Sequence, residues 1–343
     1  MHPSPSKKRF SFRWWFFFAG IVALLTLVYP LDGFFTMVGL LFWAGIFGLP
    51  VLVFQALVQI FNKSGWSTRS LFGLLTPLIA WACLAWSTWV EPYQLQVNEL
   101  TLEVPHLNRE VRLLHISDIQ SDHIDGYEEE VFRQIQALQA DLLIHTGDLV
   151  QVPGGDKDRK ELKALAALFV PIQPPLGKFH VPGDTDPGTP IEDFDQWSGV
   201  TTLKNGEAVI EKEGVRLAVL GLSLASSRQG YRSGIAEWLE RQPKGSLTVV
   251  AGHAPDYAIT AADLPADLLL AGHTHGGQVR LPFIGPLLTL SKVPKDWARG
   301  YTQLANTHLH VSAGIGAEHE PWLPAIRFNC PPEITLIHLV PKS

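Results

Sequence analysis

Three uncharged apolar runs open the chain, from Trp14 to Leu31, Gly33 to Phe61 and Leu71 to Val90. None has a polar stripe, which a helix half-buried in a soluble core would show. At a rise of about 1.5 Å per residue each can cross a hydrocarbon layer of about 30 Å, so the pattern predicts three transmembrane helices over about 14–31, 33–61 and 71–90. Lys7, Lys8, Arg9 and Arg13 precede the first run as the n-region of a signal peptide would. No small-x-small cleavage site follows, and Tyr29 to Gly33 reads as a tight turn, so the run is expected to remain as an anchor.

Beyond about residue 91 the pattern changes to short apolar runs alternating with amphipathic stretches. Arg112 to Ser117 reads as a buried strand, Glu128 to Ala140 as a helix with Val131, Ile135 and Leu138 on one face, and Asp141 to Ile144 as the next strand. A second helix around Asp158 to Phe169 leads to a strand at Lys178 to Val181. Further strands are expected at 207–211, 215–222, 247–251, 267–271, 308–312 and 334–340. Parallel β-α-β units followed by a strand-rich half predict a layered α/β domain over 91–343, with ligands at the carboxyl ends of its strands.

Charge follows the same division. Of 27 basic and 33 acidic residues, six and three lie in the first 99 positions, leaving 21 and 30 beyond, a net charge of −9. So acidic a surface argues against broad nucleic-acid binding. The basic residues before the first run, with Lys63 and Arg69 in the second loop, favour a cytoplasmic N-terminus and a domain on the periplasmic or exterior side. Cys83 lies in the third run and Cys330 in the soluble part, so a disulfide between them is not expected and the redox compartment stays open.

The predicted strand ends carry the chemistry. Asp118 and Gln120 follow the first, Gly147-Asp148 the second, and Gly183-Asp184-Thr185-Asp186 the third. Later runs end in Gly252-His253 and in Gly272-His273-Thr274-His275. Carboxylates and imidazoles gathered at one sheet edge suit two divalent cations about 3.5 to 4 Å apart, which clamp a phosphoryl group and activate water. Read as an extended segment, the stretch from His273 to His275 sends both rings the same way, each to a different ion. His123 reads as a solvated loop residue, His180 as a wall residue, and His115 and His145 as hydrogen-bonded core histidines. Arg280 and Arg299 are candidate substrate contacts, because arginine grips phosphate bidentately.

This ordered set of five motifs resembles the calcineurin-like metallophosphoesterase family. The stretches GHTHGGQVRLP and NCPPEITLIHL further resemble its membrane-anchored bacterial branch. The resemblance covers about residues 100–343 and implies a two-sheet α/β sandwich with a di-metal centre at its edge. Carried over by position, Asp118, Gln120, Asp148 and His275 would hold one ion, and Asp148, Asp184, His253 and His273 the other.

Three positions depart from the family pattern, which has His at Gln120, Asn at Asp184 and His at Thr185. Glutamine and aspartate oxygens can still ligate, and losing an imidazole shifts the preference towards Mn²⁺ or Mg²⁺ over Zn²⁺, with Fe also compatible. Thr185 is the larger change: it can donate a hydrogen bond but cannot act as the acid, a role worth roughly 10²- to 10⁴-fold in rate. Asp186, which would orient that histidine, is left to hold a water or a neighbouring donor. The catalytic set is therefore expected to be Asp148, Asp184, Thr185 and Asp186.

These features together predict a metal-dependent phosphohydrolase anchored in a bacterial inner membrane. It would cleave a phosphodiester or pyrophosphate bond whose leaving group needs no proton, in a lipid-linked or nucleotide-linked substrate. The alternative is a metal-containing module that binds a phosphorylated ligand with little or no turnover. Substrate identity and oligomeric state are not encoded in any motif found here.

Overall fold

The computed structural model describes residues 33–62, 67–151, 156–186, 188–319 and 323–342. The first apolar run, 14–31, lies outside them. The chain divides into two compact units, residues 1–88 with 319–324, and residues 89–318 with 325–343.

Within the first unit the second and third runs form helices α1 (Gly33–Asn62) and α2 (Thr68–Trp89). Windows at Gly39–Asn62 and Ser70–Tyr93 are long and apolar enough to cross a membrane. The helices come close at Gly45, where an added Cβ would lie 3.0 Å from Leu84 Cδ2.

The second unit begins with β1 (Gln96–Glu103), β2 (Val111–Ile116), α3 (Gly126–Ala137), β3 (Leu142–His145), α4 (Asp156–Phe169) and β4 (Lys178–His180). It continues through α5 (Ile191–Ser198), β5 (Thr201–Thr202), β6 (Gly206–Lys212), β7 (Val215–Gly221), α6 (Leu224–Gln229) and α7 (Arg232–Arg241). Then come β8 (Leu247–Ala251), α8 (Tyr257–Ala261), β9 (Leu268–Ala271), the short hairpin β10 (Arg280–Leu281) and β11 (Gly285–Pro286), β12 (Gly300–Gln303), β13 (His308–Val311) and β14 (Glu333–Val340). One six-stranded sheet runs β1-β14-β2-β3-β4-β5 and the other β12-β13-β9-β8-β7-β6. β2 to β5 are mutually parallel, as are β7, β8, β9 and β13.

Uninterrupted apolar runs become strands here because both faces of each sheet are covered. Side chains alternate along β3, so Leu142 and Ile144 enter the core between the sheets while Leu143 enters the core under α3 and α4. On β7, Leu217 and Val219 enter the shared core, and Ala218 and Leu220 pack with Ile235 and Trp238 of α7. The result is four layers, helices outside and two sheets within.

Local signals also connect the fold to the strand-end loops. Helix α3 starts at Asp125, whose Oδ1 accepts the Tyr127 N–H at 2.9 Å, while Glu128 Oε2 accepts the Asp125 N–H at 3.1 Å. The other oxygen of Glu128 accepts from Ser121 Oγ at 2.7 Å, tying the helix start to the loop that carries Gln120. Helices α5 to α8 and strands β1, β5, β10, β11 and β12 escaped the hydrophobic pattern.

Candidate metal centre

The loops after β2 and β3 are joined by backbone bonds: Asp118 N–H donates to Gly147 O at 2.9 Å and Gln120 N–H to Asp148 O at 3.1 Å. The second sheet reaches the same edge. His253 Nδ1 lies 2.7 Å from Thr146 O, and the His273 N–H donates to both Asp118 carboxylate oxygens at 3.1 Å. Two donor groups result, Asp118, Asp148 and His253 in one and Asp184, His253 and His273 in the other, with the ligand atoms of each within 4.8 Å of one another.

Distances define the cluster. His253 Nε2 is 3.5 Å from Asp148 Oδ2 and 3.4 Å from Asp184 Oδ2, and His273 Nδ1 is 2.7 Å from Asp184 Oδ2. His275 Nε2 lies 3.4 Å from Asp118 Oδ1. The two histidines thus address different carboxylates, though not from an extended segment. His273 and His275 have φ of 67° and 47°, Thr274 is helical, and a 3₁₀ turn covers 275–277. The extended reading of this stretch is corrected: it is the turn that separates the rings.

Left-handed backbone recurs at the donor positions. Asp118, Gln120 and Asp148 have φ of 49°, 41° and 64°, so with the two histidines five of the seven sequence-chosen ligands adopt it. Such a conformation costs about 1–2 kcal/mol per non-glycine residue, which the surrounding hydrogen bonds must offset. Glycines make the room: a Cβ on Gly183 would collide with the Asp148 carboxylate and come within 2.5 Å of its nitrogen. One on Gly272 would collide with Asp118 and lie 2.9 Å from Ser117 Cβ.

The donor set fits divalent cations. Burial pushes the Asp118 pKa up to about 7, with Asp148 adding to the rise and His253 opposing it. Burial raises Asp148 as well. Burial would lower His253, but Asp148, Asp184 and Asp118 together push it up to about 10. Buried carboxylates that resist ionisation beside an imidazole driven to stay charged are groups short of positive charge, which metal ions supply. With its Nδ1–H on Thr146 O, neutral His253 presents a bare Nε2, an atom with no hydrogen-bond partner among the described residues. Gln120 Oε1 is likewise unpartnered, while its Nε2 donates to Asp148 Oδ2 and Glu318 Oε2, both at 2.8 Å. Ligation through Gln120 therefore needs its amide rotated by half a turn.

The remaining sequence candidates separate clearly. Thr185 N–H donates to Asp148 Oδ1 at 2.9 Å, and its hydroxyl is buried. Asp186 does not face the cluster but clamps the backbone behind it. Its Oδ2 accepts the N–H of Asp148 at 3.0 Å and of Gly183 at 2.6 Å, and its Oδ1 that of Leu149 at 3.0 Å. Of the two readings given it, a water or a neighbouring donor, the structure shows the second: three backbone N–H donors, through which it positions the Asp148 turn.

Arg299 is taken up by Glu333 Oε2 at 2.8 and 2.6 Å and so presents no free guanidinium fork, whereas Arg280 donates one N–H, from Nη1, to Gly276 O at 2.8 Å. His123 pairs with Glu161 at 3.4 Å. The core histidines pair as His115 with His310 at 2.7 Å and His145 with His180 at 2.8 Å.

Two residues at the site escaped the sequence reading. Glu318 stands against Gln120, delivered by a Gly314-Ile315-Gly316 turn that packs on Asp118 and Ile119. The signal was available, since another apolar strand ends there in closely spaced glycines before an acid. Arg228 Nη2 lies 2.6 Å from Asp184 Oδ1, and nothing in its local sequence marks it.

Residues 111–277, the span that holds all seven donors, match the family model described as calcineurin-like phosphoesterase. This segment is a calcineurin-like phosphoesterase domain. The matched segment thus belongs to the metallophosphoesterases, hydrolases of phosphoric ester bonds. It is 27% identical over 284 residues to the uncharacterized metallophosphoesterase YkuE of Bacillus subtilis, covering 79% of this chain and 95% of that one. A metallophosphoesterase of Aquifex aeolicus is 29% identical over 264 residues, 74% of this chain and 95% of its own. The UDP-2,3-diacylglucosamine pyrophosphatase LpxG of Chlamydia trachomatis is 25% identical over 324 residues, 77% of this chain and 94% of its own.

Proposed function

We propose that the protein is a membrane-anchored phosphohydrolase that uses two divalent ions, Mn²⁺ foremost, to cleave a phosphodiester or pyrophosphate bond in a lipid-linked or nucleotide-linked substrate. The observation that carries this is the convergence of Asp118, Asp148, Asp184, His253 and His273 from both sheets on one edge. One ion would be held by Asp118, Gln120, Asp148 and His275 and the other by Asp148, Asp184, His253 and His273. When bound, the pair neutralises phosphoryl charge and lowers the pKa of water.

The chain's own residues do the positioning. Thr146 O fixes the His253 tautomer, and Asp186 fixes the turn that presents Asp148. Thr185 offers a hydroxyl that donates but does not protonate, which favours a pyrophosphate or similarly stable leaving group over a poor alkoxide.

A lipid-linked substrate is supported by three observations. Two helices are apolar and long enough to span a bilayer. The β10–β11 hairpin and the loop after it expose Phe283, Ile284, Leu287 and Leu290, and the Leu290 carbonyl lies 3.2 Å from His273 Nε2, so apolar surface borders the donor cluster. The relative LpxG is a pyrophosphatase of a diacylated sugar nucleotide. On the basic residues of the N-terminus and second loop the domain lies on the periplasmic or exterior side.

Thr185 favours a second reading, a binding module with little turnover. The deciding experiment loads the full chain in detergent with Mn²⁺ and assays bis-aryl phosphodiesters, monoesters and acylated sugar nucleotides. Metal-dependent turnover of a diester or pyrophosphate is expected. Two bound ions with no turnover of any of them would leave the binding module. Protease accessibility in sealed vesicles tests the side.

A further inference from the structure

We propose that Arg228 is the phosphate-binding residue of this centre, moving a guanidinium edge from Asp184 onto the substrate's phosphoryl oxygens. The proposal rests on the hydrolase reading above. Asp184 is shared: Oδ2 faces His273 Nδ1 at 2.7 Å and His253 Nε2 at 3.4 Å, while Oδ1 meets Arg228 Nη2 at 2.6 Å. Among the described residues this ion pair is the one polar contact of the guanidinium. Its side chain is half exposed, so Nε and Nη1 keep N–H groups directed to no protein acceptor.

The placement is built into the fold. Helix α6 opens with Ser223, whose Oγ accepts the Ser226 N–H at 3.2 Å. Ser227 Oγ accepts the Ala254 N–H at 3.3 Å, bolting the residue before Arg228 to the residue after His253. Gly252 leaves room for this contact, since a Cβ there would lie 2.9 Å from Ser227 Cβ. Leu224, one turn before Arg228, lines a cavity of about 680 Å³ together with Gly183, Asp186, Thr202 and Lys204. A phosphate gripped by Arg228 would have this space beside it for its substituent.

Charge requires such a group. Asp118, Asp148 and Asp184 leave two divalent ions with a single net positive charge, a weak match for a phosphate dianion, and the guanidinium adds a second. Thr185 contributes only a neutral donor. Arg299 and the fully buried Arg327, which donates to Ala313 O at 2.6 Å and Cys330 O at 2.9 Å, are committed elsewhere, and Arg280 differs from Arg228 in touching none of the seven donor side chains. The planar fork of arginine suits two phosphoryl oxygens at once.

The test measures inorganic phosphate binding to the full-length, Mn²⁺-loaded protein by calorimetry, with metal content determined in parallel. Arg228→Met is expected to weaken phosphate binding at least tenfold with two ions retained, and Arg228→Lys to recover part of the loss. Unchanged affinity in Arg228→Met overturns the proposal. If that variant loses metal, the double variant Asp184→Asn/Arg228→Met, which removes the unbalanced carboxylate, decides the matter. Affinity that stays low there supports phosphate contact. Affinity restored there shows that Arg228 only balances Asp184, and the proposal falls. Wild-type protein that holds two ions yet binds no phosphate would refute the hydrolase reading and this proposal with it. Wild-type phosphate binding that Arg228→Met leaves unchanged overturns this proposal alone and leaves the hydrolase reading standing.

Discussion

Replacing Asp186 by asparagine tests whether the backbone behind the metal centre, and not only its ligands, makes the site. The carboxylate accepts three N–H groups, two at Oδ2 and one at Oδ1, and is 3% exposed. An amide of the same shape can keep an acceptor on only one side. Turned to serve Asp148 and Gly183, it sets its NH₂ against the Leu149 N–H. That orphans a buried donor, at about 1–3 kcal/mol, and the two remaining bonds lose charge assistance worth about 1 kcal/mol each. The sum is on the order of 3–5 kcal/mol, or a drop of about 10 °C in Tm for a domain of this size. The same loss frees the Asp148 turn, held at φ 64°, so binuclear occupancy should fall with stability. Thermal unfolding of the full chain in detergent, with and without Mn²⁺, and elemental analysis read both quantities. Asp193→Asn is the control, because Asp193 pairs with Arg159 at the surface at 2.7 Å and such pairs contribute about 0–1 kcal/mol. An Asp186→Asn protein with wild-type Tm and two ions would refute the clamp.

Gly183→Ala should abolish binuclear occupancy, read by elemental analysis, because its Cβ would collide with the Asp148 carboxylate. Thr185→His should raise turnover of a diester with a poor leaving group roughly 10²- to 10⁴-fold with metal content unchanged, and no gain would show that leaving-group protonation is not limiting. His123→Ala should leave metal content intact, since its partner is Glu161, whereas Asp148→Ala should remove both ions. Burial holds His310 down to about 4, with Arg299 adding and Glu333 opposing, so the fold keeps it neutral while the unfolded chain protonates near 6.5. Stability should therefore be complete above about pH 6.5 and decline as pH falls towards 4. Between pH 7 and 5 wild type should lose about 2 kcal/mol more than His310→Gln in urea unfolding.

The sandwich was legible where strands are buried on both faces. Leu142-Leu143-Ile144 divides between two cores, as do Leu247, Val249, Val250 and Ala251 around Thr248, so nearly every position is apolar and the run stands out. Strand β1 was not legible because it sits at a sheet edge with most side chains in solvent, and its Gln96-Val97-Asn98-Glu99 reads as loop. The short helices α5 to α8 lie below the length at which periodicity can be distinguished from chance, and packing, of α5 with α4 on the first sheet and of α7 and α8 on the second, stabilises them more than propensity does. The donor residues were visible because each lies just after an apolar run, with a glycine directly before Asp148, Asp184, His253 and His273.

What the linear pattern could not show is how the donors are aimed. His273 and His275 diverge because both take left-handed backbone, and that conformation depends on the Asp118 carboxylate that receives the His273 N–H, 155 residues earlier in the chain. Asp186 reads from its motif as a residue left to hold a water or a neighbouring donor, and its three acceptor bonds bind β3's loop to its own. Arg228 carries no motif because its role depends on Ser227 of α6 meeting Ala254 in the loop after β8. In each case a residue's type follows from local chemistry, whereas its direction follows from contacts made once the sheets are assembled. Ligand strain and metal affinity should accordingly be coupled: variants such as Asp186→Asn that relax the turns should lose ions without any ligand being changed.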